Sequence, residues 1–189
     1  MLSLVFEQAG LDPTVVIGAN IPQLGGNARV GKGKKFIVEA DEFFDNFLNY
    51  RPEAIILNNI EFDHPDYFRN EAQLFDSFKK HVYRLQGKKI LVYNSEDKGI
   101  NRLLKLLPGV RLKNINLYPY KRENWSSKFS LGVPGEFNKL NAFGVITLAR
   151  LYGIDEVTII HAMRSFRGIG RRLELLNKGN EPVSKLIPI

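Results

Sequence analysis

Ala54-Ile55-Ile56-Leu57 carries no polar side chain, and Lys89-Ile90-Leu91-Val92-Tyr93 is nearly as apolar. Both are too short for buried helices, and neither alternates as a half-solvated strand would. Continuous apolar runs of this length suit parallel strands covered on both faces. Between them, Glu71 to Leu85 places Leu74, Phe75, Phe78 and Val82 at the three-to-four spacing of one buried helical face. Strand, helix, strand is the unit of a wound sheet, so the expected fold class is α/β, a mainly parallel sheet flanked by helices.

Working outward, Leu2–Ala9 reads as a helix stopped by Gly10, and Thr14–Ile17 and Lys35–Glu39 read as strands. Lys98–Leu107 reads as a helix closed by Pro108-Gly109, and Val110–Tyr118 and Lys128–Val133 as weaker strands. Leu140–Tyr152 is a long helix stopped by Gly153. Asp155–Phe166 is another, with Asp155 as its N-cap. From Asn177 onward the chain turns polar, and residues 177–189 read as a linker or the start of a further domain.

Composition narrows the function. The 189 residues are 44% hydrophobic and 25% charged, the proportions of an ordinary globular domain. Cysteine is absent, which excludes disulfides, zinc-thiolate sites and cysteine nucleophiles. No apolar run approaches a membrane span, and Met1–Gln8 does not resemble a secretory signal, so a cytoplasmic location and no membrane partner are expected. The net charge of +7 comes from scattered pairs such as Lys79/Lys80 and Arg171/Arg172. That pattern suits an anionic small molecule better than a nucleic acid, and no nucleic-acid partner is expected.

In a parallel sheet, ligands gather where strands end and loops lead into helices. Glu39-Ala40-Asp41-Glu42 follows one strand and puts three carboxylates within four residues, a donor set for a hard cation or a solvated acidic turn. Asn58-Asn59-Ile60-Glu61-Phe62-Asp63-His64-Pro65-Asp66 follows the strand at 54–57 and offers His64 among carboxylates. Gly135-Glu136-Phe137-Asn138-Lys139-Leu140-Asn141 opens the long helix. Asn138 is either its N-cap or, with Asn141, a donor–acceptor pair able to read an adenine edge. Gly168-Ile169-Gly170-Arg171-Arg172 frames two guanidinium groups that suit a phosphate or lie solvated. Gly26 to Lys32 imitates a phosphate loop, but Gly33 stands where a hydroxyl is required and a strand follows, so 25–34 reads as a glycine-rich turn.

In this order, the four segments at Glu39–Glu42, Asn59–Asp66, Gly135–Asn141 and Gly170–Leu173 resemble the central, ATP-binding domain of the Mur ligases, a phosphate-loop-NTPase-like fold. The resemblance spans residues 1–176. The subgroup most resembled joins L-alanine to UDP-N-acetylmuramate in peptidoglycan precursor synthesis; beside it stands the subgroup that recycles a murein tripeptide onto the same nucleotide, toward which Asn58–His64 leans. A non-catalytic nucleotide-binding remnant is the other expectation.

The resemblance implies an ATP-dependent ligase in which ATP phosphorylates a carboxylate and an amine displaces the phosphate. It implies Mg2+ held by Glu39 and His64, adenine met by Asn138 and Asn141, and nucleotide phosphates faced by Arg171 and Arg172. It also marks departures. The family's glycine-lysine-threonine loop would lie upstream of the first helix, and the uridine-nucleotide and amine-binding domains have no counterpart in these residues. The expectation is therefore an N-terminally truncated central domain, inactive alone as a ligase. Phe137 stands where the family carries histidine. Phe78 stands near its carbamylated lysine, so that modification is not expected. No oligomeric state is implied.

Overall fold

The structure is a computed structural model that describes residues 1–122, 129–169, 175–178 and 181–184. Its contacts divide the chain into two compact units. One comprises residues 1–39, 126–138 and 153–189; the other comprises 40–125 and 139–152.

The first unit contains α1 (Leu2–Gln8), β1 (Thr14–Ile21), β2 (Gly26–Arg29), β3 (Phe36–Val38) and α6 (Glu156–Ser165). The order β2-β1-β3 makes β1 the centre, antiparallel to β2 and parallel to β3. α1 packs on α6. Its Gln8 side chain bridges two residues one turn apart on α6, donating to Ser165 Oγ at 3.1 Å and lying 3.0 Å from His161 Nδ1. Asp155 caps α6 as its residue type predicts, accepting from Thr158 N at 2.9 Å.

The second unit contains β4 (Ala54–Leu57), α2 (Glu71–Tyr83), β5 (Ile90–Asn94), α3 (Lys98–Leu106), α4 (Gly109–Leu112), β6 (Asn116–Tyr120) and most of α5 (Glu136–Leu151). Its sheet, β4-β5-β6, is parallel throughout, with Ala54 opposite Ile90 and Ile90 opposite Asn116. β5 is central, and Leu91 and Val92 are fully buried, as their apolar run predicts. Leu74, Phe75, Phe78 and Val82 of α2 all enter the core. Pro119 is accommodated because β6 is an edge among the described strands, where a missing backbone donor costs no ladder bond.

The α/β class and parallel pairing follow the sequence; several element bounds do not. The weak strand expected over 110–118 is instead α4 followed by β6, because Val110 faces solvent and pairing with β5 begins only at Asn116. Residues 129–133 form no strand. Phe129 is a single buried anchor, and Gly132 N donates to Met163 O at 3.2 Å. The glycine-rich turn contains β2, and pairing with β2 extends β1 to Ile21. α5 begins at Glu136, so Asn138 lies inside the helix rather than capping it. β7 (Leu175–Lys178) runs into the stretch 177–189, read as a linker or the start of a further domain, and pairs antiparallel with β8 (Glu181–Ser184) inside it.

The glycines that imitate a phosphate loop have a packing reason. A Cβ at Gly31 would fall 2.1 Å from Asp12 O, and one at Gly33 would fall 1.8 Å from Leu11 O. The loop is further tied by Asp12, which accepts from Lys32 N at 2.8 Å and from Arg29 Nη2 at 2.6 Å. These hydrogen bonds, with the N–H of Lys32 donating first among them, hold the Asp12 carboxyl below its ordinary range.

Gly144 of α5 is a close-approach position. A Cβ there would lie 2.7 Å from Ile56 Cγ2 on β4 and 3.2 Å from the buried Tyr120 ring on β6. Gly144→Val should therefore destabilise the chain by about 1–3 kcal/mol, the usual cost of overpacking, despite leaving the helix backbone unchanged. Urea unfolding would read this as a lower midpoint at unchanged slope.

Candidate functional site

Residues Asp41, Glu42 and His64 meet in the second unit: one potential ligand atom from each lies within 4.8 Å of the others. His64 Nε2 is 3.6 Å from Glu42 Oε1 and 3.9 Å from Asp63 Oδ2. Two carboxylates and an imidazole form an oxygen–nitrogen donor set, whose chemistry fits a divalent cation of the magnesium–manganese type. The half-buried imidazole is held at 4.6 Å from the Phe43 ring.

The local backbone explains how these groups are presented. After β3 the chain runs into a 3-10 segment, Phe43–Asn49, in which Asp41 Oδ1 accepts from Phe43 N at 2.9 Å and Asp41 O accepts from Phe47 N at 2.8 Å. Phe44 and Asp45 both take left-handed backbone conformations, with φ of 52° and 56°. His64 does so as well, at φ 55°. Its N–H donates to Asp63 Oδ1 at 2.7 Å, and its carbonyl accepts from Tyr67 and Phe68 N.

The loop between β4 and His64 is anchored to the sheet. Tyr120 OH donates to Asn58 Oδ1 at 2.8 Å, and Asn94 Nδ2 donates to Asn58 O at 3.1 Å. Asp97 Oδ1, the cap of α3, accepts from Ile100 N at 2.7 Å and reaches Ile60 N at 3.3 Å. Burial raises the Tyr120 hydroxyl far above its usual pKa, so it remains a donor. Phe47 anchors the 3-10 segment from the other side, stacked at 4.4 Å on His81 and edge-on to Phe78, both on α2. Phe78, near the expected lysine position, is thus a core residue, and the neighbouring Lys79 pairs with Asp76 at 2.8 Å.

The other sequence-derived candidates are placed as follows. Glu39 belongs to the first unit, where its carboxylate accepts from Gly18 N at 2.8 Å. Asn138 and Asn141 lie three residues apart on α5. The Asn138 amide donates to Pro134 O at 2.6 Å, and Asn141 is half-buried. Arg171 and Arg172 lie outside the described residues. Sequence reading missed Asp45 and Tyr67, whose hydroxyl donates to Asp45 Oδ2 at 2.8 Å. That hydrogen bond, ahead of desolvation, holds the Tyr67 pKa above its ordinary value. No local pattern marks either residue.

Comparison with known proteins now bears on this arrangement. No protein-family model matches the sequence. The UDP-N-acetylmuramate–L-alanine ligase of Pelotomaculum thermopropionicum is 32% identical over 95% of this chain, and that of Paenarthrobacter aurescens is 31% identical over 95%. Over 95% of its length the chain is similar to these Mur ligases. Each of those two relatives is covered over 43% of its length, so the chain spans less than half of the curated relatives it matches.

Among solved Mur ligases, a UDP-N-acetylmuramate:L-alanyl-γ-D-glutamyl-meso-diaminopimelate ligase from Neisseria meningitides superposes with a TM-score of 0.75 at 25% identity. It covers 90% of this chain and 62% of that one. The UDP-N-acetylmuramate-alanine ligase of Thermotoga maritima gives 0.72 at 22% identity, over 95% and 44%, a likeness of fold. A folylpolyglutamate synthase/dihydrofolate synthase from Yersinia pestis, solved with AMPPNP and a manganese ion, gives 0.60 at 12% identity, covering 94% of this chain and 56% of that one. The Mur ligase fold thus accounts for the wound α/β arrangement expected from the sequence. No helix among the described residues is long and apolar enough to cross a membrane.

His81 supplies a pH test of the site's support. It is buried, and its Nδ1 has no hydrogen-bond partner among the described residues. Burial lowers its pKa from 6.5 to about 4, against a hydrogen bond with the Phe47 backbone that acts in the opposite sense. Between those values the unfolded chain binds more protons than the folded one, so stability falls as pH drops from about 6.5 toward 4. At about 1.4 kcal/mol per pH unit the loss is on the order of 3 kcal/mol. Urea midpoints measured from pH 7 to pH 4 should fall steeply across this window and flatten in His81→Phe.

Proposed function

We propose that the chain is the ATP-handling part of an ATP-dependent carboxylate–amine ligase of peptidoglycan precursor synthesis, acting in the cytoplasm on UDP-N-acetylmuramate and an amino acid or peptide. Residues 1–176 would make up its central domain. The grouping of His64 with Asp41 and Glu42 at the end of a parallel sheet carries this reading, because it offers hard-cation chemistry where such sheets bind their ligands.

In this reading His64 is a ligand to Mg2+, which when bound would neutralise charge developing on the transferred phosphoryl group, and Glu39 is the carboxylate that the sequence resemblance offers for the same role. Asp41 and Glu42 add negative potential that draws the cation toward His64. Asn138 and Asn141 present amide donors and acceptors to the adenine edge, and Arg171 and Arg172 offer fork-shaped donors to the phosphates. The muramate carboxylate attacks the γ-phosphorus, releasing ADP and forming an acyl phosphate. The amine then displaces phosphate and loses a proton, leaving the amide. L-alanine is the amine that the sequence relatives favour. The murein tripeptide is the second reading, favoured by the Neisseria neighbour and by Asn58–His64. Supplying both amines to the whole polypeptide would separate the two.

For the 189 residues alone, calorimetry with ATP should show weak binding that requires Mg2+. Glu39→Ala and His64→Ala should each abolish the Mg2+-dependent heat while leaving the melting temperature within about 2 °C, as expected of exposed or half-exposed side chains. Heat of binding that is indifferent to Mg2+, or its absence at millimolar ATP in a folded sample, would refute the reading.

A further inference from the structure

A closed ring of contacts ties the two halves of the acidic cluster together. Asp45 N donates to Glu42 O at 2.9 Å. Tyr67 OH donates to Asp45 Oδ2 at 2.8 Å, and Tyr67 N donates to His64 O at 2.9 Å. His64 Nε2 closes the ring, 3.6 Å from Glu42 Oε1. The second Asp45 oxygen accepts from Ser77 Oγ, a buried hydroxyl on α2. One carboxylate thus fastens the 3-10 segment, the histidine loop and a helix.

The backbone gives a reason to regard this ring as more than incidental. Asp45 and its neighbour Phe44 are consecutive non-glycine residues in the left-handed region, a conformation that persists only where surrounding contacts impose it. The Phe44 side chain is 63% exposed. Asp41 holds the turn locally, through Phe43 N and Phe47 N, and the Asp45 carboxylate ties it to Tyr67 and to Ser77 on α2. Relaxing the turn would swing Asp41 and Glu42, which directly precede it, relative to His64. The carboxylate oxygens of Asp45 are both engaged by hydroxyl donors, so it is not itself a free ligand.

We propose that Asp45 is a positioning residue, holding His64 beside the carboxylates of Asp41 and Glu42 that draw a divalent cation to it, with Tyr67 as its relay to the histidine loop. The inference rests on reading the cluster as a cation site. A partner that orients a ligand's own backbone sets affinity by the same logic as one that orients its ring, and loss of such support costs about ten- to a hundredfold in metal affinity.

The test is Mn2+ binding by the 189-residue chain, followed through the electron paramagnetic resonance of free Mn2+, with nuclear Overhauser contacts between the His64 and Phe43 rings read on the same samples. Asp45→Ala should weaken Mn2+ binding at least about tenfold and remove the ring contacts while far-UV circular dichroism is retained. Tyr67→Phe, which deletes only the relay hydroxyl, should act in the same direction and guards against misfolding of the first variant. Asp45→Asn, able to accept from one hydroxyl but not both, should fall between wild type and Asp45→Ala.

Combining Asp45→Ala with Tyr67→Phe should add little, since both break one ring. If His64→Ala abolishes binding while Asp45→Ala and Tyr67→Phe leave affinity and ring contacts intact, the positioning role is overturned and the cation reading stands. Without Mn2+ binding by the wild type, the cation reading fails. Loss of the ring contacts in Asp45→Ala would then still support positioning, and their persistence would overturn it.

Discussion

β5 is the constraint on which the second unit depends. It is hydrogen-bonded on both sides, to β4 and to β6, and its Leu91 and Val92 are sealed from water. Backbone donors and acceptors buried this deeply must be paired, so the parallel register is fixed residue by residue. With Leu57 opposite Tyr93 and Asn94 opposite Tyr120, the three strands end at nearly one level. That common level is why Asn94, Tyr120 and Asp97 can all reach the loop leaving β4. A slip of this register would move the anchors of the loop that carries His64.

On this frame the site is held by short polar contacts rather than by burial of its own functional groups. Asp41 is exposed, while Glu42 and His64 are half-buried, so each retains access to solvent and to a ligand. Several of their supports are buried: Phe47 and the His81 it stacks on, and Ser77, which engages Asp45 together with the half-buried Tyr67. The division is physically reasonable. A cation-binding carboxylate must stay ionised, which burial opposes, whereas its supports gain from being shielded from competing water. The cost falls on backbone geometry, with left-handed conformations at Phe44, Asp45 and His64.

The family relation adds a second scale. Sequence relatives match nearly the whole of this chain but are themselves more than twice as long in the matched proportion, at 43% coverage. These residues supply a sheet end rich in oxygen donors and a helix that carries Asn138 and Asn141.

The sequence by itself determined the α/β class, the buried runs at Ala54–Leu57 and Ile90–Tyr93, the apolar face of α2 and the Asp155 cap. Each follows from side-chain chemistry within a few residues. It also singled out the carboxylates of Glu39, Asp41 and Glu42 and the imidazole of His64 as chemically suited residues, and expected Glu39 rather than Asp41 or Glu42 to share a cation with His64. Tertiary structure alone decided that the 3-10 segment brings Asp41 and Glu42 to His64, that Asp45 joins Tyr67 and Ser77, and that residues 110–118 divide into a helix and an edge strand. Tyr67 is 22 residues from Asp45, and Ser77 is 32 residues from it. Pairings at such separations depend on how strands and helices stack, and short-range periodicity carries no record of that.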